Sequence, residues 1–182
     1  YCGILVTLTT GTPAILFEGG FSARATIDII EKQKITNFAA APTVYRSLRA
    51  DGIEISNKHK LRCLSSAGEP LTPEINEWAK SFFGLSVHDH YGQTETSMVI
   101  NNHHHPELKT ELRDGSMGKV MPGWSATVLK NDEDIPEKPG IPGRVAFMID
   151  KSPFFWFAGY IGNPKKSAEK FSKNKKYYLT GD

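Results

Sequence analysis

The chemically richest stretch of the chain is Asp89-His90-Tyr91-Gly92-Gln93-Thr94-Glu95-Thr96, which sets an aromatic plane, hydroxyls, an amide and a carboxylate side by side. An aromatic face can pack on a purine, a hydroxyl can donate to a phosphate oxygen, and a carboxylate can hold magnesium that bridges phosphates. That mixture suits a nucleotide, although a plain polar turn has a similar composition. A second stretch, Ser66-Ala67-Gly68-Glu69-Pro70, joins small residues that let backbone approach a flat ligand to a proline that stiffens the exit. Taken alone it reads as an ordinary strand-to-helix turn.

Other reactive side chains are less promising. Cys63 lies in an apolar strand with no base nearby in sequence, so a structural thiol is the preferred reading. His103-His104-His105 points in several directions within a loop marked by Asn101, Asn102 and Pro106, which favours solvent exposure over a metal site. The run Phe154-Phe155-Trp156-Phe157 is an aromatic patch whose default role is packing between subdomains. No GxxxxGK phosphate loop is present.

These groups must be positioned by a scaffold, and the chain is long enough to build one: 182 residues, 39% hydrophobic. Residues 1–10 have the spacing of a buried helix and residues 14–17 of a short buried strand. Ser22 caps a helix over residues 24–34, with Ile27, Ile30 and Ile35 on one face, and residues 37–40 form the next strand. Pro42 opens a helix through Val44, Tyr45 and Leu48, followed by a strand over residues 61–65. Thr72-Pro73-Glu74 starts a helix through Ile75, Trp78 and Phe82 that ends near Gly84, before a strand over residues 85–88. Strands alternating with helices predict an α/β fold with a mostly parallel sheet flanked by helices. Ligands then belong just after Ala40, Ser65 and His88, at the carboxyl ends of the strands.

Beyond about Gly115 the texture changes to short strands between glycine- and proline-rich turns, at residues 118–120, 126–129, 144–148 and 177–179, with one helix from an Asn163 cap to Phe171. This predicts two parts: an α/β subdomain over residues 1–114 and a smaller β-rich subdomain over residues 115–182. The net charge of +2, with both signs interspersed, nominates neither nucleic acid nor a membrane surface as partner. No stretch approaches the ~20 apolar residues of a membrane span. Two cysteines without a CxxC pair suit a reducing, cytoplasmic setting. Both ends of the sequence have the look of cuts within a longer chain.

Three motifs in order, Ser66-Ala67-Gly68-Glu69-Pro70, Tyr91-Gly92-Gln93-Thr94-Glu95 and Tyr178-Leu179-Thr180-Gly181-Asp182, resemble successive signatures of the adenylate-forming (AMP-binding) superfamily. The likeness runs along the whole chain, through Ala41-Pro42-Thr43-Val44-Tyr45-Arg46, residues 115–123 and residues 160–168. It is nearest to short- and medium-chain acyl-CoA synthetases, acetyl-CoA synthetase among them, and so points to fatty acid metabolism.

The resemblance implies a ligase that joins a small carboxylic acid to CoA at the expense of ATP, with Mg2+ as cofactor. Gly68, Glu69 and Pro70 would line one side of adenine and Tyr91 the other, within a nucleotide site that also takes in Asp89, His90, Gly92 and Gln93. Asp182 would accept both ribose hydroxyls, Thr94 would touch the α-phosphate, and Glu95 would bind the metal; Thr94 and Glu95 are the catalytic candidates. Ala67 and Gly92 stand where acetate-specific relatives carry larger residues, Gly92 in place of a tryptophan, which implies an acyl pocket open to propionate or longer acids. The family's phosphate loop and C-terminal domain, with its catalytic lysine, are not among these residues, so the segment alone is expected to bind nucleotide weakly and not to turn over. A homo-oligomeric whole enzyme is compatible with the resemblance. Adenylation with transfer to another acceptor, and a non-catalytic nucleotide- or acyl-binding module, are the alternatives.

Overall fold

The computed structural model describes residues 2–56 and 58–182, with Cys2 described by its backbone alone; Tyr1, where the first helix is expected to begin, lies outside them. The chain divides into two compact units, Tyr1–Val87 and His88–Asp182.

In the first unit, helix α1 (Cys2–Thr10) is followed by α2 (Ala23–Lys32), strand β1 (Asn37–Ala39), α3 (Pro42–Ala50), β2 (Cys63–Ala67) and α4 (Pro73–Phe83). Strands β1 and β2 pair in parallel, Asn37 opposite Cys63 and Ala39 opposite Ser65, with α3 as the crossover between them. Apolar residues recur at helical spacing, Ala23, Ile27 and Ile30 on α2, Tyr45 and Leu48 on α3, and Ile75, Ala79 and Phe83 on α4. They close a core with Leu64 and Val87. Ser22 caps α2 through Oγ, which accepts from the Ala25 N–H at 3.3 Å, and Gly84 ends α4 in the left-handed conformation at φ 69°. The buried phenol of Tyr45 donates to the carbonyls of Ser65, at 2.9 Å, and Phe38, at 3.3 Å. One side chain of α3 thus ties the two strands together.

The beginning of the chain departs from expectation. Helix α1 forms, but its Ile4, Leu5, Val6 and Leu8 are exposed, and residues 14–17 are an irregular segment with Ile15, Leu16 and Phe17 exposed. A strand needs a neighbour to take up its N–H and C=O groups, and no described residue pairs with this segment, so its β-prone sequence has no ladder to join.

The second unit opens with β3 (Val87–Gln93), β4 (Ser97–Asn101) and β5 (Lys119–Val120), paired antiparallel in chain order. Strands β6 (Ala126–Leu129), β7 (Arg144–Met148) and β8 (Tyr177–Leu179) form a second antiparallel sheet, with α5 (Pro164–Glu169) inserted between β7 and β8. Asn163 caps α5 as expected, accepting from the Lys166 N–H at 3.0 Å, but the helix stops at Glu169 rather than reaching Phe171. The core gathers Val99, Ile100, Phe147, Phe157 and Tyr178. The aromatic run is split by alternation: Phe155 and Phe157 pack 5.4 and 5.7 Å from the Tyr178 ring, while Phe154 and Trp156 face solvent. Parallel strands flanked by helices, followed by a β-rich region, make up the expected α/β class.

Candidate nucleotide-binding site

The stretch Asp89–Thr96 is one arm and the turn of a hairpin, not a loop after a strand. Strand β3, expected to stop at His88, continues through Asp89, His90, Tyr91 and Gly92 to Gln93 because β4 supplies an antiparallel partner. The Asn102 main-chain and side-chain N–H groups both donate to the Asp89 carbonyl, at 3.1 and 3.0 Å, and hold the base of the hairpin. At its tip the Thr96 N–H donates to the Gln93 carbonyl at 3.1 Å, and Thr96 is fully buried. Thr94 stands exposed on this turn and Glu95 half-buried beside it. The pairing register shifts between Tyr91 and Gly92. There a Cβ on Gly92 would lie 2.0 Å from the Ser97 carbonyl oxygen, so the bulge itself demands glycine.

The hairpin is wired to the end of β8. Tyr178 donates its O–H to Gln93 Oε1 at 3.0 Å. Gln93 Nε2 in turn donates to the Thr180 carbonyl at 2.9 Å and to Asp182 Oδ2 at 3.0 Å. The Tyr91 O–H also donates to Asp182 Oδ2. Thr180 anchors the tail by donating to the Val145 carbonyl at 2.8 Å, and its own carbonyl accepts from Lys170 Nζ at 2.8 Å. Burial pushes the Tyr91 and Tyr178 phenols above their ordinary range, so both remain neutral donors. Two motifs far apart in sequence therefore converge on one carboxylate.

Glu95 has its own partner. Tyr160 donates its O–H to Glu95 Oε1 at 2.5 Å. That bond first, with help from the Glu95 N–H and the charges of Lys170 and Lys166, holds the carboxyl below the usual range, while the same contact pushes the Tyr160 phenol up to about 12. Glu95 is ionised at neutral pH.

Ala67, Gly68, Glu69 and Pro70 belong to the first unit. Ala67 is the last residue of β2, and Gly68 turns the chain at φ +91°, in the region that favours glycine. The Glu69 carboxylate is taken up locally: the Thr43 hydroxyl lies 2.7 and 2.8 Å from its two oxygens, and Arg46 Nη2 donates to Oε2 at 2.6 Å. Those contacts, Thr43 first, lower its pKa.

The histidines are arranged differently from the solvent-exposed loop expected of them. His103 is buried and His104 half-buried; only His105 is exposed. His104 stacks on His88 with ring centroids 3.8 Å apart and presents an edge to His90 at 6.1 Å. The imidazoles of His88 and His104 cover one another at the base of the hairpin, which takes part of both ring faces out of water. Burial, then the neighbouring imidazoles, drops the His90 pKa to about 4. Among the described residues no group of three or more histidine, cysteine or acidic side chains could hold a metal ion. Cys63, half-buried in β2, is a free thiol.

The family resemblance implies no site role for Thr43, Arg46, Tyr160, Lys170 or Tyr178. Thr43 and Arg46 do sit three apart on one helix, a spacing that puts both on one face. Nothing in the sequence pairs Tyr160 with Glu95.

A family profile described as AMP-binding enzyme matches residues 1–150. The chain belongs to the AMP-binding enzyme family. It is 34% identical over 168 residues to 4-hydroxybutyrate–CoA ligase 1 of Metallosphaera sedula, a match covering 92% of this chain and 28% of the relative. With the mitochondrial acyl-coenzyme A synthetase ACSM3 of Rattus norvegicus it shares 35% identity over 164 residues, 89% of this chain and 27% of that protein. The crystal structure of a Brucella canis acyl-CoA synthetase superposes with a TM-score of 0.84 at 44% identity, over 97% of this chain and 31% of that one. The chain thus spans between a quarter and a third of the length of the relatives it matches.

Proposed function

We propose that this chain carries part of the adenylation site of an AMP-forming acyl-CoA synthetase acting on short- to medium-chain acids in fatty acid metabolism. The observation that carries the proposal is the convergence of Tyr91 and Gln93 on Asp182, which joins the second and third motifs within one compact unit. In this reading the acid's carboxylate oxygen attacks the α-phosphorus of ATP and pyrophosphate leaves; the CoA thiol then attacks the acyl carbonyl and AMP leaves. The protein's part is to position the reactants and offset charge.

Asp182 accepts the ribose diol. Both donors it already holds fall on Oδ2, and a carboxylate has about four acceptor sites, so capacity remains. Tyr91 packs on adenine, and Asp89, His90, Gly92 and Gln93 complete the second unit's share of the nucleotide site; Gly68, Glu69 and Pro70 are the first unit's adenine-binding candidates. Exposed Thr94 reaches the α-phosphate. Glu95, ionised and half-buried, fits magnesium, which is commonly held by one or two carboxylates together with substrate phosphates rather than by an all-protein cage. When bound, the ion would neutralise charge on the phosphates. Gly92 borders the acyl pocket, and Ala67 is the first unit's acyl-pocket candidate. The bulge at Gly92 gives that glycine a second reason to be there, so a larger residue at 92 would have to move β4 as well as fill the pocket. CoA, ATP and a cytoplasmic setting belong to this reading. None of the described helices is long and apolar enough to cross a membrane.

Carboxylate-dependent ATP–pyrophosphate exchange by the full-length protein, run from acetate to decanoate and followed by CoA-dependent thioester release, tests the proposal. Exchange and thioester, strongest with propionate or longer acids, are expected. Best efficiency with acetate would overturn the pocket assignment. Exchange without thioester would move the function to another acceptor, and no exchange with any acid would overturn the synthetase reading.

A further inference from the structure

Glu95 is the acidic side chain on the exposed tip of the hairpin, and a half-buried glutamate on a turn is free to choose among several rotamers unless something holds it. Tyr160 is built to do so. Its main-chain N–H donates to Ser167 Oγ at 2.7 Å, and that hydroxyl donates in turn to the Asn163 carbonyl at 2.8 Å, closing the loop ahead of α5 on itself. Its ring lies edge-on to Phe157 at 5.1 Å, and Lys166 Nζ stands 5.3 Å from the ring centroid on the helix that follows. The neighbouring Gly159, at φ +140°, lets the chain pass Ser167 so closely that a Cβ would fall 2.9 Å from its Oγ. With backbone and ring both restrained, the phenol reaches across 65 positions of sequence to Glu95 Oε1.

A phenol so restrained commits one carboxylate oxygen and fixes the plane of the other. Resting on the reading of Glu95 as a cation ligand, we infer that Tyr160 is a positioning residue that presets the Glu95 carboxylate for the metal–nucleotide complex. Outer-shell partners of this kind, a hydrogen-bond donor behind a ligating carboxylate, set the orientation and basicity of the ligand. The loop over residues 159–167 and α5 then serve the nucleotide site through Glu95 rather than by touching the nucleotide. Lys170, one position beyond α5, holds the Thr180 carbonyl and so braces the tail that carries Asp182. One short helical region thereby steadies Glu95 and the tail that carries Asp182.

The test uses Mn2+ as the probe, its free fraction followed by electron paramagnetic resonance while the full-length protein is titrated in the presence of α,β-methylene-ATP. Tyr160→Phe removes one oxygen atom and should weaken Mn2+ binding by roughly 10- to 100-fold, while metal-free nucleotide affinity stays as in the unaltered protein. Glu95→Gln should weaken Mn2+ binding at least as much, and Tyr160→Phe should add nothing in that background. Ser167→Ala, which frees the loop without touching the phenol, should act in the same direction and less strongly, and it carries the test if Tyr160→Phe does not fold. If Glu95→Gln weakens the metal complex and Tyr160→Phe does not, the positioning role is overturned while the reading of Glu95 stands. If Tyr160→Phe weakens metal-free and metal-bound nucleotide alike, Tyr160 is structural only and the inference is again overturned. If Glu95→Gln leaves Mn2+ binding unchanged, Glu95 is not the ligand and both fall.

Discussion

The carboxylate of the first unit and those of the second are held in different ways. Glu69 is restrained by two side chains from the adjacent crossover helix, in a pair whose Arg46 and Glu69 side chains remain 46% and 40% exposed. Asp182 and Glu95 are restrained by tyrosines, and the network around Asp182 is backed by Tyr178, which is fully buried. Exposed ion pairs lose much of their attraction to water and to side-chain entropy, whereas hydrogen bonds anchored in a packed core hold geometry. In the second unit the donors to Asp182 and Glu95 are side chains that are themselves hydrogen-bonded or packed, which holds those carboxylates more firmly than the exposed pair holds Glu69.

The sharpest way to break this contrast is Tyr178→Ala. It removes a ring packed against Phe155, Phe157 and Phe171 together with the donor to Gln93, and should cost about 3–5 kcal/mol of unfolding free energy in chemical denaturation. Acid comes next. His90 is held neutral with a pKa near 4, so between that value and its unfolded value of about 6.5 the unfolded chain binds the extra proton. Stability is complete above pH ~6.5 and falls as the pH drops toward 4, by on the order of 3 kcal/mol from this group. His90→Gln should flatten that slope in pH-dependent melts. Gly92→Ala, whose methyl meets β4 backbone, should destabilise by roughly 1–3 kcal/mol in the same denaturation assay. Arg46→Gln should leave the unfolding midpoint within error of the unaltered protein, as expected for an exposed pair. A large shift there would erase the distinction between the two units.

Much of the first unit is legible in the sequence because its elements announce themselves locally. Ser22, Pro42 and the Thr72-Pro73 pair mark helix starts, Gly84 marks a stop, and apolar spacing reports the buried faces. Residues 14–17 misled because β-propensity speaks of a pleated, half-buried surface that no described neighbour provides. The second unit hides more. Strand β4 is hidden because its apolar run, Met98-Val99-Ile100, is only three residues long and is flanked by the polar Ser97 and Asn101, so it shows neither alternation nor the length of a buried strand. His103-His104-His105 is a loop, as its neighbours Asn102 and Pro106 suggest, but the covering of His104 is hidden because its ring partners, His88 and His90, lie on β3, distant in sequence. The motif residues stand out by type but their wiring does not, since Gln93 to Tyr178 and Glu95 to Tyr160 are closures that depend on tertiary packing.

The most direct measurement of the central claim is equilibrium binding of AMP to the full-length protein and to its Asp182→Asn variant. If Asp182 receives the ribose hydroxyls, replacing its charge should weaken AMP by about tenfold or more, with 2′,3′-dideoxy-AMP affected little by the substitution. Equal affinity of the two proteins for AMP would contradict the account and remove the nucleotide from this end of the β8 strand.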